Sequence, residues 1–532
     1  MRIKLNSLLI AALTVILGSC SKFDNYSLGE AGKLLDSGRF DKASKMVEER
    51  LKVEPNDKDA LLLRGKLRER TDYLDLALED YNKVLEQDGS LLDALEARGR
   101  LKIKLADYDG ALEDLEKVLQ ADRKSAYLIS SIGLTQFFKK NFDEARRLFD
   151  ESQKIDEKHE GAYFGRAAID IEKKDYQAAI RDLDDLLKFH PKNSQALFRR
   201  GFAYLKASEP NKALADFNRA LELDADLKEI YWYRAETNRV LGQPELALKD
   251  YEKAEAADPN DPILYLNEGT VLMAMGQHPE ALEKLRRSIL LDPENPLPYI
   301  NRAVLQFETG NLLAALGDLN RAIELRGDDP QLLIRRAYIF KLMARGDRAM
   351  SDLDSALASD PTNHQALLLR GSLYYNEPQL DRAILDLEEA IRRTPEDAPA
   401  HQLLAEALLR KGDRKEALEQ AELALKKDSS YTPAHITIGD IYMSDLHYDQ
   451  AVEAYSRALS IDPNHFEARI KRAKLYVELR DFPEALDDLE TAAKVNPYSG
   501  EMYALRSQCH DALGDQEKAQ QDAWRARVFV NR

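Results

Sequence analysis

The sequence predicts an all-α chain: an α-α superhelix of about fifteen 34-residue units, each a helix, a tight turn and a second helix. Three observations carry that expectation. From Ala43 to Ala519 every thirty-fourth residue is alanine, fifteen in succession with no insertion. Alanine is about one residue in eight, so chance gives on the order of 10⁻¹⁴ for such a run. Twelve residues before these alanines stands a second small residue, as at Gly65, Gly99, Gly133, Ala167, Gly201, Ala235 and Gly269. Glycine and proline fall at fixed offsets, where helices end and begin.

Composition narrows the function. Of 532 residues 44% are hydrophobic, which excludes a disordered chain. The net charge of -17 argues against a nucleic-acid binder, since tracking phosphates needs a basic stripe. Two cysteines, Cys20 and Cys509, allow neither a disulfide scaffold nor a cysteine-rich zinc site.

In chain order the first element is a leader. Arg2 and Lys4 precede a nearly unbroken apolar run from Leu8 to Leu17, too short to span a bilayer comfortably. It ends in Leu17-Gly18-Ser19-Cys20, which resembles the bacterial lipoprotein box. The resemblance implies a signal peptide over 1–19, lipidation of Cys20 and a short tether over 20–23. Several acyl chains hold a protein stably in a lipid bilayer, at about 0.8 kcal/mol per buried methylene. Ser21 after the lipid site implies, again by resemblance, the outer membrane in an organism with two membranes. Beyond residue 19 no apolar run of 18 residues occurs.

The repeats occupy 24–532, numbered so that the recurring alanine is position 20. Small residues at 8 and 20 let the two helices of a unit cross closely. Large ones at 24, such as Phe149, Phe217, Tyr251 and Tyr455, fill the space beside them. Glycine at 15 (Gly38, Gly242, Gly276, Gly310, Gly412, Gly514) suits a left-handed residue closing the first helix. Pro210 and Pro244, at 17, suit the start of the second. This pattern is identified as that of the tetratricopeptide repeat (TPR) family, with Ser194 to Leu227 its clearest copy.

A charge regularity appears when the repeats are compared. Arginine stands at position 7 in ten repeats and aspartate at 23 in the same ten, a coincidence expected about once in 3,000 random placements. Repeat 8 carries Glu268 and Lys284, with the signs exchanged; repeat 4 has Ile132 and Leu148, repeat 13 Ile438 and Ala454, apolar on both sides. The expectation is an ion pair between the helices of one repeat.

No catalytic, cofactor or metal residues are expected. The sequence has no Gly-rich phosphate loop and no His-Glu-x-x-His. His401 and His435 share position 4 without a third ligand nearby, and Cys509 reads as a buried thiol. What remains is surface. In TPR proteins the first helix of each repeat lines the concave side, with positions 2, 5, 9, 12 and 13 facing it. Transferred by position, this gives a charged zone in repeats 2 and 3 (Lys66, Glu69, Arg70, Glu96, Arg100, Lys104). An aromatic zone follows in repeats 4 to 7 (Phe137, Phe138, Phe164, Phe198, Phe202, Trp232), then Ile300, Phe307, Ile334, Tyr338 and Tyr375 in repeats 9 to 11. Asn267 and Asn301, at position 6, match amides that bond a bound peptide's backbone in peptide-binding members. The expectation is a lipid-anchored scaffold gripping a protein or peptide on the aromatic zone; the alternatives are a chaperone-like holder of unfolded clients and, for the aromatics, packing between repeats.

Overall fold

A computed structural model describes residues 29–121, 124–376 and 379–529. Among them are thirty α-helices and no strand. The leader, Cys20 and the tether lie outside the described residues. The chain divides into two compact units, one ending at Gly276 and one beginning at Gln277. The division falls inside repeat 8, with Glu268 in the first unit and Lys284 in the second.

Repeat 6 shows why each unit folds as it does. Its first helix, Ser194–Lys206, begins where the Asn193 side chain accepts from the Ala196 N–H at 2.9 Å. Three residues later its second helix, Pro210–Leu223, starts on proline. Between them the Ser208 N–H bonds the Leu205 carbonyl and the Glu209 N–H the Tyr204 carbonyl, closing the open end of the first helix. That closure needs a left-handed residue at position 15. Each of the fourteen repeats whose position 15 is described has one: six are glycine, and the other eight are Asp72, Ala106, Lys140, Lys174, Ser208, Ala344, Leu446 and Arg480. The position is therefore fixed by geometry even where the sequence does not supply glycine.

The small residue at position 8 is a close-approach requirement. A Cβ on Gly201 would meet the Phe217 ring at 2.7 Å, and one on Gly371 would meet Leu387 at 2.9 Å. Phe217 and Leu387 are themselves fully buried. Replacing such a glycine would force the two helices of its repeat apart.

All ten expected ion pairs are formed. In nine, Nε and Nη2 of the arginine reach both oxygens of the aspartate sixteen residues on, at 2.6–3.0 Å. In the tenth, both nitrogens of Arg166 converge on one oxygen of Asp182. Repeat 4 buries Ile132 and Leu148 instead. The arginines do more than the sequence suggests. In eight of the ten, Nη1 also bonds position 25 of the preceding repeat, as Arg200 bonds Asp184 at 2.7 Å and Arg336 bonds Asn320 at 2.8 Å. The guanidinium thus ties its own second helix to the previous one. Arg302 is an exception with an evident cause, because Arg286 occupies that place.

Candidate functional site

In the first unit the aromatic zone is mostly core. Phe164, Phe198, Phe202 and Phe137 are 0%, 1%, 2% and 4% exposed, which corrects their placement on an open groove. Packing between successive helices is the cause. Tyr233, one repeat on, lies 5.4 Å from both Phe198 and Phe202, ring centre to ring centre. Phe164 is covered by the Arg199 guanidinium, 5.1 Å from its ring centre. Phe137 packs on Phe142 of its own second helix. Phe138 and Trp232 stay half-buried, with Phe138 stacked on Tyr108 at 5.4 Å and Trp232 edge-on to Tyr233 at 4.8 Å. Asn267 and Asn301 are half-buried too, and the Asn267 amide donates to Glu236 at 2.9 Å.

Three of the six residues of the charged zone are tied up internally. Lys104 meets Glu69 at 2.7 Å, Tyr81 donates to the same carboxylate at 3.1 Å, and Arg100 donates to the Tyr127 hydroxyl. Arg199 differs. It is 3% exposed, its Nε and Nη2 have no acceptor, and burial pulls its pKa down to about 10 against the attraction of Glu229.

Open apolar surface lies in the second unit. The first helices of repeats 9 to 12 (Pro296–Glu308, Pro330–Leu342, His364–Asn376 and Ala398–Lys411) contribute most of the lining of a cleft of about 550 Å³. Phe307, Ile334, Tyr338, Leu368, Leu369 and Leu403 form much of its wall. Phe307, Ile334 and Tyr338 come from the groove positions read in the sequence; Ile300 and Tyr375 do not line the cleft. Tyr338 is 45% exposed, its ring tilted against Phe307 at 5.8 Å. The leucines were missed, although Leu368 stands at position 5 and Leu369 and Leu403 at position 6 of adjacent repeats. Leucines at positions 5 and 6 of adjacent repeats were the available signal.

Of the three charged residues on this wall, Glu308 and Arg335 are exposed and Lys341 is not. Lys341, at position 12 where the flanking repeats carry Phe307 and Tyr375, is half-buried. Its Nζ donates to the Ser372 hydroxyl at 2.7 Å, and that hydroxyl donates to the Leu369 carbonyl. Among the described residues no carboxylate pairs with it, and burial holds its pKa below the usual lysine range.

His401, His435 and Cys509 are held in the helix packing. His401 Nε2 bonds the Pro395 carbonyl at 3.2 Å and His435 Nε2 the Ser429 carbonyl at 3.4 Å. Each reaches six residues back, as Tyr163, Tyr265 and Tyr299 do from the same position. Cys509 is fully buried, and burial pushes its thiol up to about 11, away from the reactive thiolate.

Paired helices in a 34-residue register, with a first-helix face holding an open cleft, define a helical repeat protein of the kind that binds through its stacked surface. Tetratricopeptide repeat profiles match residues 28–90, 92–125, 194–227, 266–330, 343–398, 379–432 and 438–510, well over half of the chain. The chain belongs to the tetratricopeptide repeat family, whose members bind protein or peptide partners. Similar solved structures include a chain of the APC/C hetero-tetramer Cut9–Hcn1, at 16% identity and TM-score 0.40 over 90% of this chain and 95% of that one. A tetratricopeptide repeat protein from Parabacteroides merdae is similar at 20% identity and TM-score 0.35, over 46% and 97%. YrrB, described as a TPR protein with an unusual peptide-binding site, is similar at 23% identity and TM-score 0.30, over 35% and 95%. No curated protein matches the sequence significantly.

Proposed function

We propose that this chain is a membrane-anchored TPR lipoprotein of the bacterial cell envelope. On this reading a lipid on Cys20 holds it to the outer membrane, and the repeats grip a segment of a partner protein. The observation that carries the binding role is the open apolar cleft of repeats 9 to 12, on the helix faces the family uses for recognition. An acidic chain with 32% charged residues has no solubility reason to leave such a surface uncovered. The Leu17-Gly18-Ser19-Cys20 box supports the anchor.

Cys20→Ala tests the anchor: the variant stays unprocessed or leaves the membrane fraction. Normal processing with normal membrane association would refute it. Pull-down from detergent-solubilised envelopes, read by mass spectrometry, tests the scaffold. One stoichiometric partner supports it, whereas many sub-stoichiometric clients would mark a holder of unfolded chains instead.

A further inference from the structure

We propose that the cleft of repeats 9 to 12 takes an extended or helical peptide segment bearing an apolar side chain with an acidic residue beside it, the carboxylate pairing with Lys341. The proposal rests on the binding reading above and names the ligand of that site.

Charge complementarity commits the cleft to this occupant. An ammonium carries three donors, and one of those on Lys341 is spent on Ser372. A cation held half-buried without an anion costs free energy, and among the described residues no carboxylate pairs with it. Glu308, on the same wall, is exposed and makes no ion pair with Lys341. Arg335, exposed at the rim, adds a second positive charge. The charged lining is therefore net positive in a chain of net charge -17. Ile334, Tyr338 and Lys341 follow one another at spacings of four and three, so they share one face of their helix. An apolar side chain seated against Tyr338 and Phe307 thus has the ammonium one turn away. Once the peptide covers the cleft, a charge-assisted hydrogen bond there gains strength from the surrounding apolar wall. A neutral apolar segment would bury Lys341 further and leave it unpaired.

The test uses the full chain in detergent micelles and three fluorescein-labelled mixtures of twelve-residue peptides. Their central pair is fixed as Leu-Glu, Leu-Gln or Ser-Glu, and the flanks are randomised without charge. Fluorescence anisotropy reads binding. Leu-Glu should bind best, and Leu-Gln should bind about tenfold more weakly, as expected for the loss of one charge-assisted bond. Lys341→Met should abolish that preference, and Tyr338→Ser should weaken both leucine mixtures. Equal binding of Leu-Glu and Leu-Gln overturns the proposal, as does a preference that survives Lys341→Met. Binding of none of the mixtures, or of palmitate in place of peptide, overturns it as well. Envelope pull-downs with the same variants separate this site from the wider reading. A partner captured equally by the wild type and by Lys341→Met and Tyr338→Ser sinks the site and leaves the scaffold standing. Capture of no partner by any of them sinks the scaffold.

Discussion

Replacing Arg200 by methionine strands a carboxylate. Asp216 is 6% exposed and takes two hydrogen bonds from Arg200, at 2.8 and 2.7 Å. Without them it is a nearly buried, uncompensated anion, at a cost of about 3–5 kcal/mol. Asp184, which takes the third hydrogen bond of Arg200, has a side chain 41% exposed and returns to water at little cost. The reverse change, Asp216→Leu, should be milder, about 1–3 kcal/mol, because Arg200 keeps Asp184 and some solvent. Changing both residues, to methionine and leucine, should be nearly neutral, since repeat 4 already packs Ile132 against Leu148 at the same two positions. A global melt would blur these effects, because repeat arrays open locally. Native-state hydrogen exchange of the helix Pro210–Leu223 resolves them. Single changes that each cost under about 1 kcal/mol would refute the reasoning, and so would a double change as costly as the sum of the two.

Three further outcomes follow from the same geometry. Burial raises the pKa of Asp114, but hydrogen bonds from Arg98 and Lys102 outweigh it and leave the pKa lowered. The unfolded chain then binds more protons in that window, so exchange protection of Tyr108–Gln120 should hold above about pH 4 and fall as pH drops through the depressed value; protection unchanged at pH 2 would contradict this. Leu446 holds φ of 58° at position 15, so Leu446→Gly should stabilise its repeat by about 1 kcal/mol, read as slower exchange of the Tyr448–Ile461 amides; a loss of protection would contradict it. Phe198→Ser should cost its repeat about 3–5 kcal/mol as a core truncation, whereas Tyr338→Ser should cost under about 1 kcal/mol; equal losses would mean that the two rings share one environment.

The repeat was legible because it is periodic. A register of 34 fixes every helix, turn and small-residue contact, and co-variation of Arg and Asp exposed a contact sixteen residues apart. The structure also shows a third bond from these arginines that a comparison within single repeats could not reveal. Glu48, Asn82, Asp184 and Asn320 stand sixteen residues before them, in the preceding repeat, and all can accept a hydrogen bond. The groove was less legible. Position 5 or 9 faces inward in every repeat, yet its exposure depends on the neighbour's side chain. Arg199 covers Phe164 and Tyr233 covers Phe198, whereas Tyr338 is left open. A lysine within the apolar cleft was equally hidden, because its setting comes from five helices drawn from four repeats.

Site-specific photocrosslinking in native envelopes tests the binding face most directly. A photoreactive phenylalanine analogue would replace Tyr338 in the cleft, Trp232 in the first unit or Leu385, 63% exposed on a second helix. The account predicts one crosslinked partner band from position 338, weak or absent from 232, and none from 385. A partner crosslinked from 385 and not from 338 would contradict it.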